Sequence, residues 1–410
     1  MPHVIPNIRH LRVFREVAQC HSISQAAKKV HLSQPAVTQA VGKLEEDLGI
    51  SLLDRRRDGL FTTPIGAGFL ERVERALEHL QIGARQAIRL GGRPEARGFA
   101  NFDELVTTAQ LKALTALSEA RNFAIAARHL GLSQPTLHRS ARNLESLAGI
   151  ELFKTTPAGI DFTPAAQKLV QRTRLALGEI RQGLDEIKDV LGRETTQFVL
   201  GSLPLARTYI IPTAINAMIA ATPRVQIRVI DGPYAELLRG VREGDLDCMI
   251  GALRQPAPAE DVVQEPLFSD PLAIVAGRDH PLTRQLHVTL ADTLRYPWVA
   301  PPKATPAGRY LFETLRIQDL PETPVRVVSS SLVLLRGLLI QGNYLTIISR
   351  HQISEEERQG LLVALPVALK DSHRAIGLTY RADWRPTAMQ RRFIDFLRDT
   401  VRKITPSNVP

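Results

Sequence analysis

The hydrophobic residues of the first 190 positions recur at helical spacing, in a pattern that occurs twice. In the first copy the pattern predicts one helix over about 8–19, a second carrying Ala26 and Ala27, and a third beginning after Ser33. The same order returns 100 residues later without a shift in register, because 15 of the 54 positions in 11–64 and 111–164 are identical. A gapless repeat of this length indicates one structural unit present twice.

The third predicted helix of the first copy has the features of a DNA-reading helix. Ser33 is a natural N-cap, and Pro35 falls in the first turn, where its missing N–H costs nothing. The paired alanines before it allow two helices to approach closely, which predicts a helix-turn-helix over about 23–42. The polar face of the third helix suits base edges and phosphates. The residues that we expect at the DNA are Ser33, Gln34, Pro35, Ala36, Thr38, Gln39 and Lys43.

Two short apolar stretches after Gly49 enclose a basic turn and predict a β-hairpin, or wing. Arg55, Arg56 and Arg57 in this turn are expected to contact phosphates or a minor groove. These elements define a first winged helix-turn-helix over 7–66. A long helix follows from Pro64, and 67–101 is interpreted as a linker helix and linker.

The second copy predicts another winged helix-turn-helix over 102–164, with its helix-turn-helix at about 123–142. Its wing lacks the triple arginine. Two interpretations remain open, since this copy either contacts DNA as well or serves as a packing or spacing module. The helix over 165–195 is interpreted as a dimerisation helix. The residues that we expect at the DNA are Ser133, Gln134, Pro135, Thr136, His138, Arg139 and Arg142.

Strands and helices alternate over 196–405, which predicts an α/β domain with a parallel sheet covered by helices on both faces. Ligands bind such sheets at the carboxyl ends of the strands. The order of the elements predicts two lobes. Lobe one holds 197–262 and about 375–405, and lobe two holds about 271–365. The predicted fold is therefore multidomain, with two α-rich heads followed by a two-lobed α/β module.

Composition narrows the function. The formal net charge of +10 favours a polyanionic partner. Two distant cysteines fit a reducing compartment, and the absence of a long apolar run and of a signal-peptide pattern predicts a cytoplasmic protein. The sequence contains no nucleophile elbow, phosphate-binding glycine loop or metal-ligand spacing. We therefore expect no enzyme activity, no metal and no cofactor.

Several motifs of the first copy together resemble the N-terminal domain of the LysR-type transcriptional regulators. They include Ala26-Ala27, 32–37, Leu44-Glu45 and Thr63-Pro64. The segment 196–405 resembles the effector-binding domain of the same family, which is similar to periplasmic binding proteins. The first copy also shares Leu48-Gly49, Arg55 and Gly66 with the DNA-binding domain of the family. The matching motifs of the effector-binding domain are Gly201 with Pro212, 242–247, His280-Pro281-Leu282 and Tyr296-Pro297-Trp298. The duplicated head departs from the ordinary family layout, which has one.

The resemblance implies an effector site in the cleft between the lobes. Relatives often have a small hydroxyl residue where this chain has Leu205, which makes Arg207 and Thr208 the nearest polar candidates. Arg207 suggests a carboxylate, and Ser331 either binds a ligand or only caps its helix. The ligand stays open between an aromatic or dicarboxylic acid and a sugar-type metabolite. The candidate residues are Leu205, Arg207, Thr208, Tyr234, Gly251, Pro301, Ser330 and Ser331.

These observations predict a DNA-binding transcriptional regulator of the LysR type, controlled by an anionic or hydroxylated small molecule. The expected partners are double-stranded DNA, the effector, RNA polymerase if the protein is an activator, and further copies in a homodimer or homotetramer joined through 164–191. No membrane partner is expected. The alternative is an architectural or ligand-independent DNA-binding protein in which the second head is a spacer.

Overall fold

The computed structural model describes residues 5–92, 98–99, 101–157, 159–192, 197–320 and 322–404. Parts of the two predicted linkers, and Ala158 of the second wing, lie outside the described residues. The chain divides into two units. The first comprises Met1–Thr196 with Glu243–Asp245, and the second comprises Gln197–Arg242 with Leu246–Pro410.

Both predicted heads are present in the first unit, and each has three helices, a two-stranded wing and a long final helix. The first head contains α1 (Ile8–Cys20), α2 (Ile23–Lys29), α3 (Gln34–Leu48), β1 (Leu53–Arg56), β2 (Gly59–Thr62) and α4 (Pro64–Gly91). The second contains α5 (Thr108–Ala120), α6 (Phe123–Leu130), α7 (Gln134–Ala148), β3 (Phe153–Thr156), β4 (Gly159–Phe162) and α8 (Pro164–Val190).

A glutamate that is identical in the two heads holds each wing in place. One side-chain oxygen of Glu45 accepts hydrogen bonds from the backbone N–H groups of Leu52 and Leu53, at 2.7 and 3.1 Å. Glu145 repeats both contacts in the second head. In each head, a carboxylate of the third helix therefore accepts the hydrogen bonds of the backbone at the start of the wing.

The repeated glycines of the wings are required by close backbone contacts. Gly59 and Gly159 have φ values of 148° and 133°, which side chains rarely adopt. A Cβ at Gly59 would lie 2.7 Å from the carbonyl oxygen of His21, and one at Gly159 would lie 2.5 Å from that of Arg121. Glycine at this position therefore allows each wing to pack against the turn between the first and second helices of its head.

The long helices α4 and α8 pack against each other within the one chain. Arg72 of α4 bonds to Glu179 and Glu186 of α8, while a Cβ at Gly83 would touch Arg172. The residue numbers of contacting positions rise on one helix as they fall on the other, so the helices are antiparallel. The helix α4 of the same chain therefore covers the apolar face of α8, and a role of α8 in joining two subunits stays a prediction.

A buried ionic cluster lies in this helix pair. Arg72 is 6% exposed and contacts Glu179 at 2.9 Å, and Arg75 contacts the same carboxylate at 2.8 Å. Burial alone would raise the pKa of Glu179, but the hydrogen bonds and charges of Arg75 and Arg72 outweigh it and lower the pKa. Removing one partner of such a buried pair typically costs about 3–5 kcal/mol, because the remaining charge stays buried without compensation.

The second unit is built on one continuous sheet, in the strand order β6-β5-β7-β13-β8-β11-β9-β10, with β12 beside β8. The strands are β5 (Gln197–Ser202), β6 (Gln226–Asp231), β7 (Cys248–Ala252), β8 (Val262–Gly277), β9 (Trp298–Ala300), β10 (Val325–Val328), β11 (Leu345–Ser349), β12 (Leu362–Ala364) and β13 (His373–Arg381). The helices are α9 (Ile210–Ala221), α10 (Tyr234–Glu243), α11 (Leu290–Thr293), α12 (Pro306–Arg309), α13 (Leu332–Gln341), α14 (Ser354–Arg358) and α15 (Ala388–Ile404).

The sheet is mixed, which corrects the expectation of an all-parallel one. Each lobe keeps a parallel core, β6-β5-β7 in lobe one and β10-β9-β11 in lobe two. The strand β13 runs antiparallel to β7 of lobe one, the long strand β8 runs antiparallel to β11 of lobe two, and β8 pairs with strands of both lobes. The two lobes are thus joined by the sheet itself, so the crossing strands form the base of the cleft between them.

The packing of α4 on α8 predicts opposite effects for two glycine substitutions in α8. A Cβ at Gly183 would lie 2.9 Å from the ring of Phe69, whereas one at Gly178 would meet only the end of the Arg181 side chain, at 3.9 Å. We expect Gly183→Ala to destabilise the first unit, because overpacking costs about 1–3 kcal/mol. We expect Gly178→Ala to stabilise it by up to about 1 kcal/mol through helix propensity.

The measurement is chemical unfolding of the full chain followed by two signals. Both tryptophans, Trp298 and Trp384, lie in the second unit, so fluorescence reports that unit, whereas far-UV circular dichroism also follows the helices of the first. Only the circular-dichroism transition should shift. Equal stabilisation by both substitutions would contradict the close contact between α4 and α8.

Candidate DNA-binding heads and effector cleft

The third helix of the first head presents its predicted polar face to solvent. Ser33 accepts a hydrogen bond from the N–H of Ala36 and caps α3. Gln34, Thr38 and Gln39 are exposed, although the hydroxyl of Thr38 donates to the carbonyl of Gln34. Pro35 is exposed and Ala36 half-buried in the first turn. The face therefore presents amides and a methyl group to solvent, and its contact with a DNA groove stays a prediction.

Lys43, which the sequence predicted at this surface, and His10, which it did not, lie beside this face. The ammonium of Lys43 contacts Glu46 at 2.9 Å and Asp47 at 3.1 Å, and all three side chains are exposed. Exposed pairs of this kind are weak, so a DNA phosphate can replace the carboxylates. His10 of α1 lines the same shallow depression as Gln39 and Lys43.

The third helix of the second head presents a more cationic face. Ser133 caps α7, and its hydroxyl lies 2.8 Å from that of Thr136. Gln134, Pro135 and His138 are exposed, and the His138 ring packs against Phe123 with centroids 5.0 Å apart.

The two arginines of this face differ in their contacts. Arg142 contacts Glu145 at 2.6 Å. Arg139 is exposed, and its side chain makes no hydrogen bond or ion pair with any other residue that the structure describes. Its guanidinium is therefore available to a ligand without breaking a contact within the chain.

The two wings differ in the cations that they present. Arg55, Arg56 and Arg57 are all exposed in the first wing, and the guanidinium of Arg56 lies 5.1 Å from the centre of the Phe61 ring. In the second wing Lys154 lies 3.6 Å from Glu151. The first wing is therefore the more basic of the two, as its sequence predicted.

The predicted cleft residues of lobe one fall into two groups. Leu205 is 6% exposed within the core of this lobe, and a Cβ at Gly251 would collide with Leu203. Leu205 is packed in the core and Leu203 covers Gly251, so neither residue presents a side chain to the cleft.

Arg207 and Thr208 follow the carboxyl end of β5. Arg207 donates to the backbone oxygen of Ser202 at 2.7 Å, and the buried hydroxyl of Thr208 has no hydrogen-bond partner among the described residues.

An arginine that the sequence did not single out lies beside Tyr234. The guanidinium of Arg254 is 4.4 Å from the centre of the Tyr234 ring, just beyond the carboxyl end of β7. Burial, followed by the charge of Arg309, lowers the pKa of Arg254. A guanidinium is therefore present at the carboxyl end of β7, where the sequence did not predict one.

The predicted residues of lobe two lie at the carboxyl ends of its strands. The hydroxyl of Ser331 caps α13 by accepting from the N–H of Leu334 at 3.4 Å, a long contact that a ligand can replace. Ser330 is exposed and Pro301 is half-buried. The helix N-terminus and two neighbouring hydroxyl groups form a polar surface at this end of the lobe.

A buried carboxylate lies where the two lobes meet. Asp270 of β8 is 0% exposed and contacts His351 at 2.8 Å and Arg374 of β13 at 2.6 Å. Burial alone would raise the pKa of Asp270, but the hydrogen bond from His351 and the charge of Arg374 outweigh it and lower the pKa. The crossing strands are thereby tied to the segment that follows β11.

Other chemistries find little support in the described residues. No group of three histidine, cysteine or acidic side chains with the geometry of a metal site occurs among them. None of their helices combines the length and apolar character that a bilayer crossing requires.

Comparison with known proteins identifies both units. The bacterial regulatory helix-turn-helix protein family, lysR type, matches residues 8–67 and again 108–167, and the LysR substrate binding domain matches 192–402. The HTH-type transcriptional regulator GalR of Pseudomonas putida is 33% identical over 380 residues, which cover 92% of this chain and 93% of that protein.

Relatives with shorter alignments match less of this chain. The HTH-type transcriptional regulator PcaQ of Agrobacterium fabrum is 25% identical over 70% of this chain and 92% of its own length. A full-length OxyR variant of Pseudomonas aeruginosa has a similar fold, with a TM-score of 0.55 and 20% identity over 74% of this chain and 98% of that one. This chain therefore belongs to the LysR family of bacterial transcriptional regulators, whose DNA-binding domain it carries twice.

Proposed function

We propose that this regulator contacts double-stranded DNA with both heads at once, and that a small anion bound between its lobes changes that contact. The observation that carries the proposal is the exposure of the same capped helix, α3 and α7, in two heads held on one helix pair. Arg139 supports it further, because an exposed arginine on a spacer domain would have no role in packing.

Each head has groups suited to a different part of the DNA. Gln34 and Gln39 can donate to and accept from an adenine edge, and arginines such as Arg139 suit guanine. Arg55, Arg56 and Arg57 supply phosphate contacts that carry no sequence information. We infer that α3 and α7 enter major grooves, while the first wing adds affinity.

A carboxylate is the effector chemistry that the cleft supports best. Arg254 stacks on Tyr234 in lobe one, and Arg207 near the end of β5 contacts Asp231 at 3.4 Å, an exposed pair that a ligand carboxylate can replace. The hydroxyl groups of Thr208 and Ser331, with the N-terminus of α13, suit the remaining polar atoms of such a ligand. Binding that favours one lobe arrangement shifts the population of the regulator toward it.

The remaining properties follow the family. We propose a cytoplasmic, non-catalytic homodimer or homotetramer, which contacts RNA polymerase if it activates transcription. The alternative is an architectural DNA-binding protein with a spacer head and no ligand. The two-lobed second unit favours the regulator, because DNA bending does not need a ligand-binding module.

The first prediction concerns the first head. Gln34→Ala removes a base contact and should weaken binding to the operator about 5- to 150-fold, whereas Arg56→Ala should reduce the salt dependence of binding by about one phosphate contact. Fluorescence anisotropy over a series of salt concentrations measures both. The control is Arg402→Ala, which removes an exposed cation from α15. Loss of the helical far-UV circular-dichroism signal or of effector binding in the same variants would indicate misfolding and contradict a local role.

The second prediction concerns the second head. Arg139→Ala/Arg142→Ala should shorten the footprint on the DNA upstream of the gene, because one of two heads loses its groove contacts. Arg402→Ala/Lys403→Ala removes the same charge from an exposed surface of the second unit and should leave the footprint unchanged. An unaltered footprint in the first variant would make the second head a spacer.

The third prediction concerns the effector. In a panel of small carboxylates and neutral sugars, a carboxylate should raise the tryptophan-monitored unfolding temperature, and Arg254→Gln should abolish that shift. Arg284→Gln, which changes an arginine in the segment after β8, serves as the matched control. Stabilisation by a neutral sugar that survives Arg254→Gln would refute an anionic effector, and the absence of any response would favour the architectural alternative.

A further inference from the structure

The helix pair in the first unit is nearly symmetric in shape. A Cβ at Gly83 of α4 would lie 2.8 Å from the Cβ of Arg172 on α8, and one at Gly183 would lie 3.1 Å from the Cβ of Arg72. Adding 100 to the residue number on α4 and subtracting 100 from the one on α8 converts the first contact into the second. The heads are thus related by a pseudo-twofold axis that crosses α4 and α8.

The charges of the helix pair do not follow this symmetry. Arg72 contacts Glu179 and Glu186 at 2.9 and 2.7 Å. At the equivalent place Arg172 lies 3.3 Å from the Nδ1 atom of His79, and position 86 is Gln. The carboxylates that contact the buried arginines at these two places are therefore on α8, and they hold Arg72 and Arg75 of α4.

This asymmetry disfavours pairs of like helices. If α4 packed on a second α4 in the same register, Arg72 would face His79 and Gln86 in place of two carboxylates. Buried arginines without acidic partners are strongly unfavourable. In a pair of two α8 helices the arginines would have acidic partners. Arg72 and Arg75 of every α4 would then lack theirs. The charges therefore match α4 with α8.

The connection between the heads is packed against both of them. The N–H of Phe99 donates to the carbonyl of Leu147 in the second head, and Arg12 of the first head donates to the backbone oxygens of Asp103 and Val106. The N–H of Ile8 donates to the hydroxyl of Thr108 at 2.9 Å. Within this one chain, the segment 98–108 therefore contacts both heads.

We propose that one chain forms a complete pair of unlike heads, so that its DNA site consists of two different half-sites in a fixed order rather than a palindrome. The proposal rests on the proposed function, since it requires both heads to read DNA. The half-site under α3 meets the amides of Gln34 and Gln39. The half-site under α7 meets His138 and Arg139, and it should be richer in guanine.

The first test is selection of bound sequences from random DNA by the full chain. The expected result is two unlike half-sites. Gln34→Ala/Gln39→Ala should reduce base preference about 5- to 150-fold in one half-site only, and Arg139→Ala/Arg142→Ala should do so in the other only. All four side chains are exposed, so the fold should be retained.

The outcomes separate the two proposals. A palindrome in which one variant weakens both halves would mean that like heads pair, and it would overturn the present inference while leaving DNA binding by the heads intact. If Arg139→Ala/Arg142→Ala changed no position at all, the second head would not read DNA and the proposed function itself would fail.

The second test asks whether one chain supplies both heads. The two variants are co-expressed with different tags, and mixed oligomers are purified through both tags. Their affinity for a short duplex holding one pair of half-sites should be no higher than that of either variant alone, because no chain carries two intact heads. Recovery toward wild-type affinity would show that heads of different chains pair, and would overturn the proposal.

Discussion

A buried contact between unlike charges holds the first unit together. Two arginines of α4 share the carboxylates of α8, and burial makes it costly to separate them. This requirement fixes the register of α4 against α8. The register in turn determines the positions of the two heads on the helix pair. The exposed faces of α3 and α7 thus depend on an interaction that touches neither of them.

The repeat made the heads predictable from the sequence, because local requirements act identically in both copies. Ser33 and Ser133 cap their helices, Glu45 and Glu145 accept from the first wing strands, and each wing glycine removes a clash. The identities were visible in the sequence, but the reason for the repeated glutamate was not. It depends on a contact between a helix and a strand that only the folded head brings together.

The parts that the sequence did not predict depend on pairing between distant elements. The apolar faces of α4 and α8 indicate that each helix is covered, but not whether the cover comes from the same chain. The antiparallel crossing of β8 and β13 was missed for the same reason, since each strand alone is only an apolar run. Arg254 was overlooked because nothing in its neighbourhood in the sequence indicates that Tyr234 lies beneath it.

The covalent link between the heads has a consequence for dilution. A pair built from separate chains dissociates as its concentration falls, whereas two segments of one chain keep a high effective concentration however few molecules a cell contains. The helix pair of this regulator is complete as soon as residue 190 has been synthesised and folded. The pairing of the two heads is therefore independent of copy number, and only the association of whole chains responds to how much protein is made.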